Sequence, residues 1–244
     1  MIYVYAVVPG GRYEPDPAQL GLDDAPVTTI ESKELAAVAS DTARTRVRPS
    51  RANVTAHQRI VEDAHRNGPV LPVRFGTVVP DAGAVARDLL DASAGKLLDL
   101  LRRVDGRDEY RLRATYRQDV VLREIVAGSA PIRKARARMQ GREGAAFRDD
   151  MIDLGEMVRS ELERRRQVEA AAILDAVQPH AESWERLGER SDEVAVHAAL
   201  LVRADRAPAL EAAVGRIAEA EAGRLDLELI GPLPPWDFTE GMTA

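Results

Sequence analysis

The sequence predicts an α+β fold divided into two domains. Short apolar or alternating segments typical of strands are separated by segments with helical spacing, and 244 residues suffice for two domains. The turn-forming segment Asp105–Asp108 is the clearest boundary. We therefore expect residues 1–106 to form a mixed or antiparallel sheet with two helices, and residues 107–244 to form a second α+β domain.

Composition indicates a globular chain and excludes several classes of site. Hydrophobic residues make up 45% and charged residues 30%, whereas aromatic residues are only 4%, so the cores must be aliphatic. The absence of cysteine fits a reducing, cytoplasmic setting and excludes disulfides, thiolate zinc sites and cysteine nucleophiles. The net charge of −6 argues against a dedicated nucleic-acid binder, and no apolar run reaches the ~18 residues of a membrane span.

The N-terminal half reads as strands with two helices. Residues 2–8 are apolar in both alternation sets, which indicates a strand covered on both faces, and strands near 26–31 and 35–41 follow a loop. Asn53 is a candidate N-cap for a helix over 54–67. A strand over residues 70–79 comes next, and Asp81 caps a second helix that ends at Asp105-Gly106.

The C-terminal half alternates strands and helices. A half-buried strand ends at Tyr116, and a long helical segment is predicted over 118–187, with interruptions near Gly128–Pro131 and Gly141–Gly144. A strand, a helix capped by Asp205 and a strand at 225–229 follow. This order predicts a modified ferredoxin-like domain with a long helical insertion. The Pro-rich tail 231–238 is expected to be extended.

Two segments resemble the GvpL/GvpF family of gas vesicle proteins. Residues 68–77 read Gly-Pro-Val-Leu-Pro-Val-Arg-Phe-Gly-Thr, shortly after the Ala56-His57 pair, and both features are similar to that family. The opening, residues 3–8, is also similar, and residues 231–238 resemble the Gly-Pro-Trp-Pro-Pro-Tyr-Ser-Phe ending of the family. Leu233 and Trp236 depart from that ending, where the family has Trp and Tyr.

The resemblance implies a non-enzymatic part in gas vesicle formation. It implies an assembly protein or a minor shell-associated protein that contacts the main shell protein, which is small and very hydrophobic, and other accessory proteins. It also implies a place at the gas vesicle within the cytoplasm. The residues themselves contain no phosphate-binding glycine loop, nucleophile elbow or metal-binding histidine pair, so we predict no catalytic, cofactor-binding or metal-binding residue.

Four residues are candidates for partner binding: Arg74, Phe75, Trp236 and Phe238. Arg74 stands in an apolar strand, and a structural ion pair within the domain is the favoured alternative to a partner contact. Trp236 and Phe238 dock either on their own domain, which we favour, or on a partner.

Two other functions remain open. His57 falls on the apolar stripe of its helix, which favours a structural histidine, but a small-molecule site or an enzyme would use it with Arg74 and Asp63. An RNA-binding module would use the basic run Arg133–Arg142, for which a solvated helix face is the favoured alternative. We also expect the strand arginines 111, 113 and 117 to pair with Asp226 and Glu228.

Overall fold

The computed structural model describes residues 1–139, 145–188, 191 and 193–239. Over these ranges the chain has an α+β fold with two antiparallel sheets and seven α-helices, which confirms the predicted class. It divides into two compact units. Unit 1 comprises residues 1–110, 201–204 and the described residues from 231 onward, and unit 2 comprises residues 111–200 and 205–230.

Unit 1 is built on a five-stranded sheet with helices on both faces. Its strands are β1 Ile2–Pro9, β2 Val27–Ser32, β3 Leu35–Asp41, β4 Leu71–Pro72 and β5 Val78–Val79. They run in the order β2-β3-β1-β4, and β5 also pairs with β1. The predicted strands at 2–8, 26–31 and 35–41 are therefore confirmed within a residue or two.

A β-bulge changes which side chains of β1 share a face. The register against β3 shifts between Val4 and Ala6. As a result Tyr3, Tyr5 and Ala6 all belong to one core, whereas Val4 belongs to the core on the opposite face. Strict alternation had grouped Ala6 with Val4, and the extra residue of the bulge is the reason that this grouping is wrong.

Helix α1 (Arg51–Arg66) covers the Tyr3 face of the sheet. It begins three residues earlier than predicted because Ser50, not Asn53, is the N-cap, and the Ser50 hydroxyl accepts a hydrogen bond from the Asn53 N–H. Its apolar stripe buries His57, Ile60, Val61 and Ala64, as the sequence pattern predicted.

The region predicted as the second helix consists of three successive helical elements. Asp81 caps a short α2 (Ala82–Ala84), as predicted, and π-helical turns continue over Val85–Asp91. In the last of these turns the Ala92 N–H bonds the Arg87 carbonyl, the i→i+5 pattern of a π-helix. Helix α3 (Ala94–Val104) then packs Leu97 and Leu101 against the Val4 face of the sheet.

The second sheet has strand order β7-β8-β6-β9. Its strands are β6 Arg107–Tyr116, β7 Ser183–Arg186, β8 Val194–Arg203 and β9 Leu225–Leu233. The helices of this half are α4 Gln118–Gly128, α5 Ala130–Met139, α6 Ala145–Val177 and α7 Ala207–Ala220. Along the chain the order is strand, helices, two strands, helix, strand, and the ferredoxin-like assignment stays a prediction.

The predicted helical segment 118–187 is wrong at its C-terminal end. The break before α5 is confirmed, and the predicted break at 141–144 lies outside the described residues. Helix α6 stops at Val177 because Pro179 has no N–H to continue it, and a 3₁₀ turn leads into β7. Downstream, α7 begins at Ala207 with Arg206 as its N-cap, so the predicted Asp205 cap is not observed.

The predicted pairing of strand arginines with acids is confirmed for one pair. The guanidinium of Arg117 donates to the carboxylate of Asp226 through Nη2, at 2.8 Å to Oδ1, and through Nε, at 3.1 Å to Oδ1 and 3.2 Å to Oδ2. Because at least half of each side chain is exposed, solvent screening leaves this pair little effect on stability.

Candidate functional site

An aromatic cluster in unit 1 brings together three of the residues singled out in the sequence: His57, Phe75 and Trp236. It consists of Tyr3, Tyr5, His57, Phe75 and Trp236. The two tyrosines come from β1, His57 from α1, Phe75 from the segment after β4 and Trp236 from the tail. The ring centroids of Tyr5, Phe75 and Trp236 lie 5.6–5.8 Å from that of His57. These separations are typical of packed aromatic rings.

The apolar segment 70–79, predicted as one strand, is two strand fragments joined by a turn. In the turn the Thr77 N–H bonds the Arg74 carbonyl at 3.3 Å, and Gly76 has a φ of +91°. A positive φ at the third turn residue is the signature of a type II turn and favours glycine there. The turn interrupts the strand and directs Phe75 into the cluster.

His57 is held as a neutral, buried imidazole. The Gly76 N–H donates to the Tyr3 hydroxyl at 3.0 Å, and the Tyr3 hydroxyl oxygen also lies 3.0 Å from His57 Nδ1. The Tyr3 hydroxyl can act as donor or acceptor in this second bond, according to the tautomer of the neutral ring. Burial lowers the pKa of His57 from its ordinary 6.5 to about 4. A hydrogen bond with the Val73 backbone raises the pKa by a smaller amount.

The hydroxyl of Tyr5 also forms buried hydrogen bonds, at the other end of the cluster. Its hydroxyl accepts from the Leu22 N–H at 2.8 Å and lies 2.7 Å from the Ser40 hydroxyl. These bonds fasten the loop between β1 and β2 to the buried side of the sheet. A Cβ atom at Gly21 would come within 2.1 Å of the Tyr5 hydroxyl oxygen, so this approach requires glycine. Burial raises the pKa of both Tyr3 and Tyr5.

The residues of the enzymatic alternative do not converge. His57 is only 1% exposed, whereas Arg74 is exposed. The carboxylate of Asp63 is engaged elsewhere, by the Tyr13 hydroxyl at 2.8 Å and by the Arg66 guanidinium at 3.0 Å. This geometry offers no shared cleft in which the three side chains could act on one substrate.

Arg74 differs from the favoured expectation of an internal ion pair. Its side chain makes no ion pair or hydrogen bond with another residue in the described part of the chain. The physical reason is the turn: once residues 74–77 leave the strand, the guanidinium is in water and burial no longer demands a counter-ion. Phe75 beside it is half-buried.

The tail docks within the chain, as favoured from the sequence, but it docks on unit 1 and not on the predicted domain 107–244 to which it was assigned. Trp236 packs against the Tyr3 core and the His57 ring, and Phe238 is 2% exposed. The Asp237 N–H donates to the buried carboxylate of Glu109 at 2.8 Å. Phe238 is thus part of the packed interior, and of the four candidate contact residues only Arg74 is well exposed.

The free edge of the unit 1 sheet is a second feature that could bind a partner. Strand β2 lies at the end of the strand order, and within the described part of the chain it forms a ladder with β3 alone. On the outer side, the Val27 N–H bonds the Gln19 carbonyl at 3.3 Å, which covers the start of the strand. By alternation the backbone groups of Thr29 and Glu31 also point outward, and no described backbone group bonds them.

Among the described residues, no cluster of three or more His, Asp or Glu side chains could hold a metal ion. No described helix is long and apolar enough to span a membrane.

The whole chain matches known gas vesicle proteins. The profile of the family described as "Gas vesicle synthesis protein GvpL/GvpF" matches residues 1–240. The chain belongs to the GvpL/GvpF family. "Gas vesicle protein F" of Streptomyces sp. (strain CB03234) is 31% identical over 240 residues, covering 98% of this chain and 99% of the relative. The protein of the same name from Nostoc sp. (strain PCC 7120) is 24% identical and 82% of each chain is covered.

Solved structures of GvpF share the fold. The crystal structure of GvpF from Anabaena sp. PCC7120 matches with a TM-score of 0.85 at 21% identity, over 98% of both chains. GvpF from Microcystis aeruginosa matches with a TM-score of 0.80 at 20% identity, also over 98% of both chains. Membership of the GvpL/GvpF family gives this chain a gas vesicle-related role.

Sequence reasoning missed the residues that organise the aromatic cluster. It singled out His57 and Trp236 but not the hydroxyl groups of Tyr3 and Tyr5, or Ser40, the partner of Tyr5. A signal was present, because Tyr3 and Tyr5 lie in a strand that is otherwise apolar on both faces. A tyrosine hydroxyl that is buried needs a hydrogen-bond partner, so the pair indicated polar contacts inside the core.

Proposed function

We propose that this GvpL/GvpF family protein acts in gas vesicle assembly by binding the main hydrophobic shell protein through unit 1, at the vesicle within the cytoplasm. Family membership supports the setting. The observation that supports a binding mechanism is the open edge of β2. A strand of the shell protein adds to this edge and extends the sheet, a recurring mode of peptide recognition.

The edge offers a limited number of backbone bonds. The outward N–H and C=O groups of Thr29 and Glu31 provide four bonds, at a net gain of about 1 kcal/mol each. The sum of about 4 kcal/mol corresponds to a millimolar dissociation constant. Strand addition therefore needs apolar burial to become tight. Ile30, half-buried against the adjoining core, provides a site where an apolar partner residue can remove further surface from water.

The polarity of β2 is consistent with an edge that is open but protected. The strand has only six residues, and its exposed positions carry Thr28 and Glu31. Short strands with charged residues resist pairing of the chain with itself. Such an edge selects a partner that supplies the hydrophobic contacts, and the main shell protein is that partner in our proposal.

The test replaces Thr29 by proline in the full chain. Thr29→Pro removes an outward N–H without touching the β2–β3 ladder, which is why edge strands tolerate proline there. Thr29→Val is the matched control because it keeps the N–H and a β-branched side chain. Tagged chain and untagged shell protein are co-expressed, and the retained shell protein is quantified. We expect a loss of about tenfold for Thr29→Pro and none for Thr29→Val.

The outcomes separate the two parts of the proposal. A folded Thr29→Pro variant that retains the shell protein as the wild type does would refute the strand-edge mechanism. Failure of the wild type itself to retain the shell protein would refute shell-protein binding. Arg74 is the second candidate contact, at the opposite side of β1, and Arg74→Ala is an additional arm that reports on that surface alone.

A further inference from the structure

We infer that the groove between α4 and α5 binds an acidic, amphipathic helix of a partner protein. The groove has a volume of about 590 Å³ and is lined from α4 by Leu122, Arg123 and Val126, and from α5 by Arg133 and Arg136. All of these residues belong to unit 2. The inference goes beyond shell-protein binding and does not depend on the β2 edge.

The charge of α5 is opposite to that of the chain. The helix has ten residues, including Arg133, Lys134, Arg136 and Arg138, and no carboxylate, whereas the whole chain carries −6. Its inward positions are apolar and all four cations are exposed. Lys134, Arg136 and Arg138 form no ion pair with any residue that the structure describes. A concentrated positive field with no counter-ion among the described residues favours an anionic partner.

Two arginines at the rim of the groove make contacts with neighbouring residues of the chain. Arg123 pairs with Asp119 one helical turn away, where both side chains are about three-quarters exposed. Arg133 donates to the Ala127 carbonyl at the C-terminal end of α4. An exposed i,i+4 pair contributes little to stability, so Arg123 can exchange Asp119 for a partner carboxylate at small cost.

The floor of the groove is apolar and follows helical spacing. Leu122 and Val126 lie one turn apart on α4 and are half-buried, and the exposed Ala127 and Ala137 continue the apolar surface. An amphipathic helix places aliphatic side chains at i and i+4 into such a stripe while its acidic flanks meet the arginines. The floor is short, about 8 Å at 1.5 Å per residue, so it holds about one and a half turns of helix.

The same features disfavour a nucleic acid as the occupant. Neither α4 nor α5 contains an aromatic residue, so the groove offers no ring on which bases could stack. An aliphatic floor between cationic rims instead matches a peptide with leucines on one face and carboxylates on the other. Arg142, the last cation of the run in the sequence, lies outside the described residues.

The test measures peptide binding to the full chain by fluorescence polarisation. The probe is a labelled amphipathic peptide of about 14 residues, a length that can form a helix, with leucines on one face and glutamates elsewhere. A scrambled peptide of the same composition removes the apolar face, and a peptide with lysine for glutamate reverses the charge. Single-stranded oligouridine is the nucleic-acid probe. We expect the acidic amphipathic peptide to bind at least about tenfold more tightly than either control peptide.

Three full-chain variants locate the site. Lys134→Glu/Arg136→Glu should weaken binding about tenfold, and Leu122→Ala/Val126→Ala about fivefold. The exposed pair Arg46→Glu/Arg48→Glu, in unit 1, makes the same change in net charge and should leave binding unchanged. Equal binding of the scrambled peptide, or equal weakening by the unit 1 variant, would overturn the inference. So would tighter binding of oligouridine that is lost in Lys134→Glu/Arg136→Glu.

Discussion

The buried imidazole of His57 predicts a specific dependence of stability on pH. In the unfolded chain the ring binds a proton near pH 6.5, whereas in the folded chain burial lowers its pKa to about 4. Between these values the unfolded state holds more protons. The contribution is therefore fully present above pH 6.5 and is lost as the pH falls towards 4.

The magnitude follows from the two pKa values. The full difference corresponds to about 3 kcal/mol, and the linkage relation gives a loss of about 2 kcal/mol between pH 7 and pH 5. Because His57 is 1% exposed, solvent screening requires no large discount. Such a loss is a substantial fraction of a typical domain stability of about 5–15 kcal/mol.

Urea unfolding of the full chain, repeated at several pH values, measures this loss. The fluorescence of Trp236, which packs against the His57 ring, reports on unit 1 when Trp184 in β7 is replaced by phenylalanine. The control is His57→Asn, which keeps a hydrogen-bond acceptor for Tyr3 but cannot titrate. Every other titrating group contributes to both proteins. If both lose stability in parallel between pH 7 and pH 5, the assignment of a neutral, buried His57 is wrong.

Two further changes test packing and charge in the two units. Arg224→Met removes the hydrogen bond to Glu124 at 2.9 Å and the contacts with two other carboxylates. It should lower the free energy of unfolding of unit 2 by about 2 kcal/mol, measured by urea unfolding followed by Trp184 fluorescence. An unchanged free energy of unfolding would show that these ion pairs of Arg224 do not stabilise unit 2. Gly21→Ala should lower the stability of unit 1 by about 1–3 kcal/mol because its Cβ meets the Tyr5 hydroxyl, whereas Gly155→Ala, with open space around it on α6, should not destabilise the chain.

The correct predictions of the fold are those that depend on a single segment, without knowledge of which other segment packs against it. The apolar strand 2–8, the stripe that buries His57 and the tail aromatics follow directly from spacing and from the cost of exposing apolar area. Each of these predictions is confirmed. They depend on what one segment must bury, and not on which other segment covers it.

The failures arise where a single residue overrides a pattern. Residues 70–79 are apolar enough for a strand, but Gly76 at positive φ turns the chain. The segment before β7 had helical composition, but Pro179 ends the helix. Arg74 was expected to find a counter-ion because the strand was expected to be buried, so one error in local structure produced a second error in the site.

The polar and charged residues considered as candidate functional residues fall into two groups. The first group forms hydrogen bonds within unit 1 that join β1, α1 and the loops; it consists of His57, Tyr3 and Tyr5. The second group is exposed and makes no ion pair or side-chain hydrogen bond among the described residues; it consists of Arg74, Lys134, Arg136 and Arg138. A change in the first group should therefore alter stability before it alters any association. A change in the second should alter association at constant stability, because no internal contact is lost. Measuring both quantities on the same variants separates a protein that works through its surfaces from one whose buried polar groups act on a substrate.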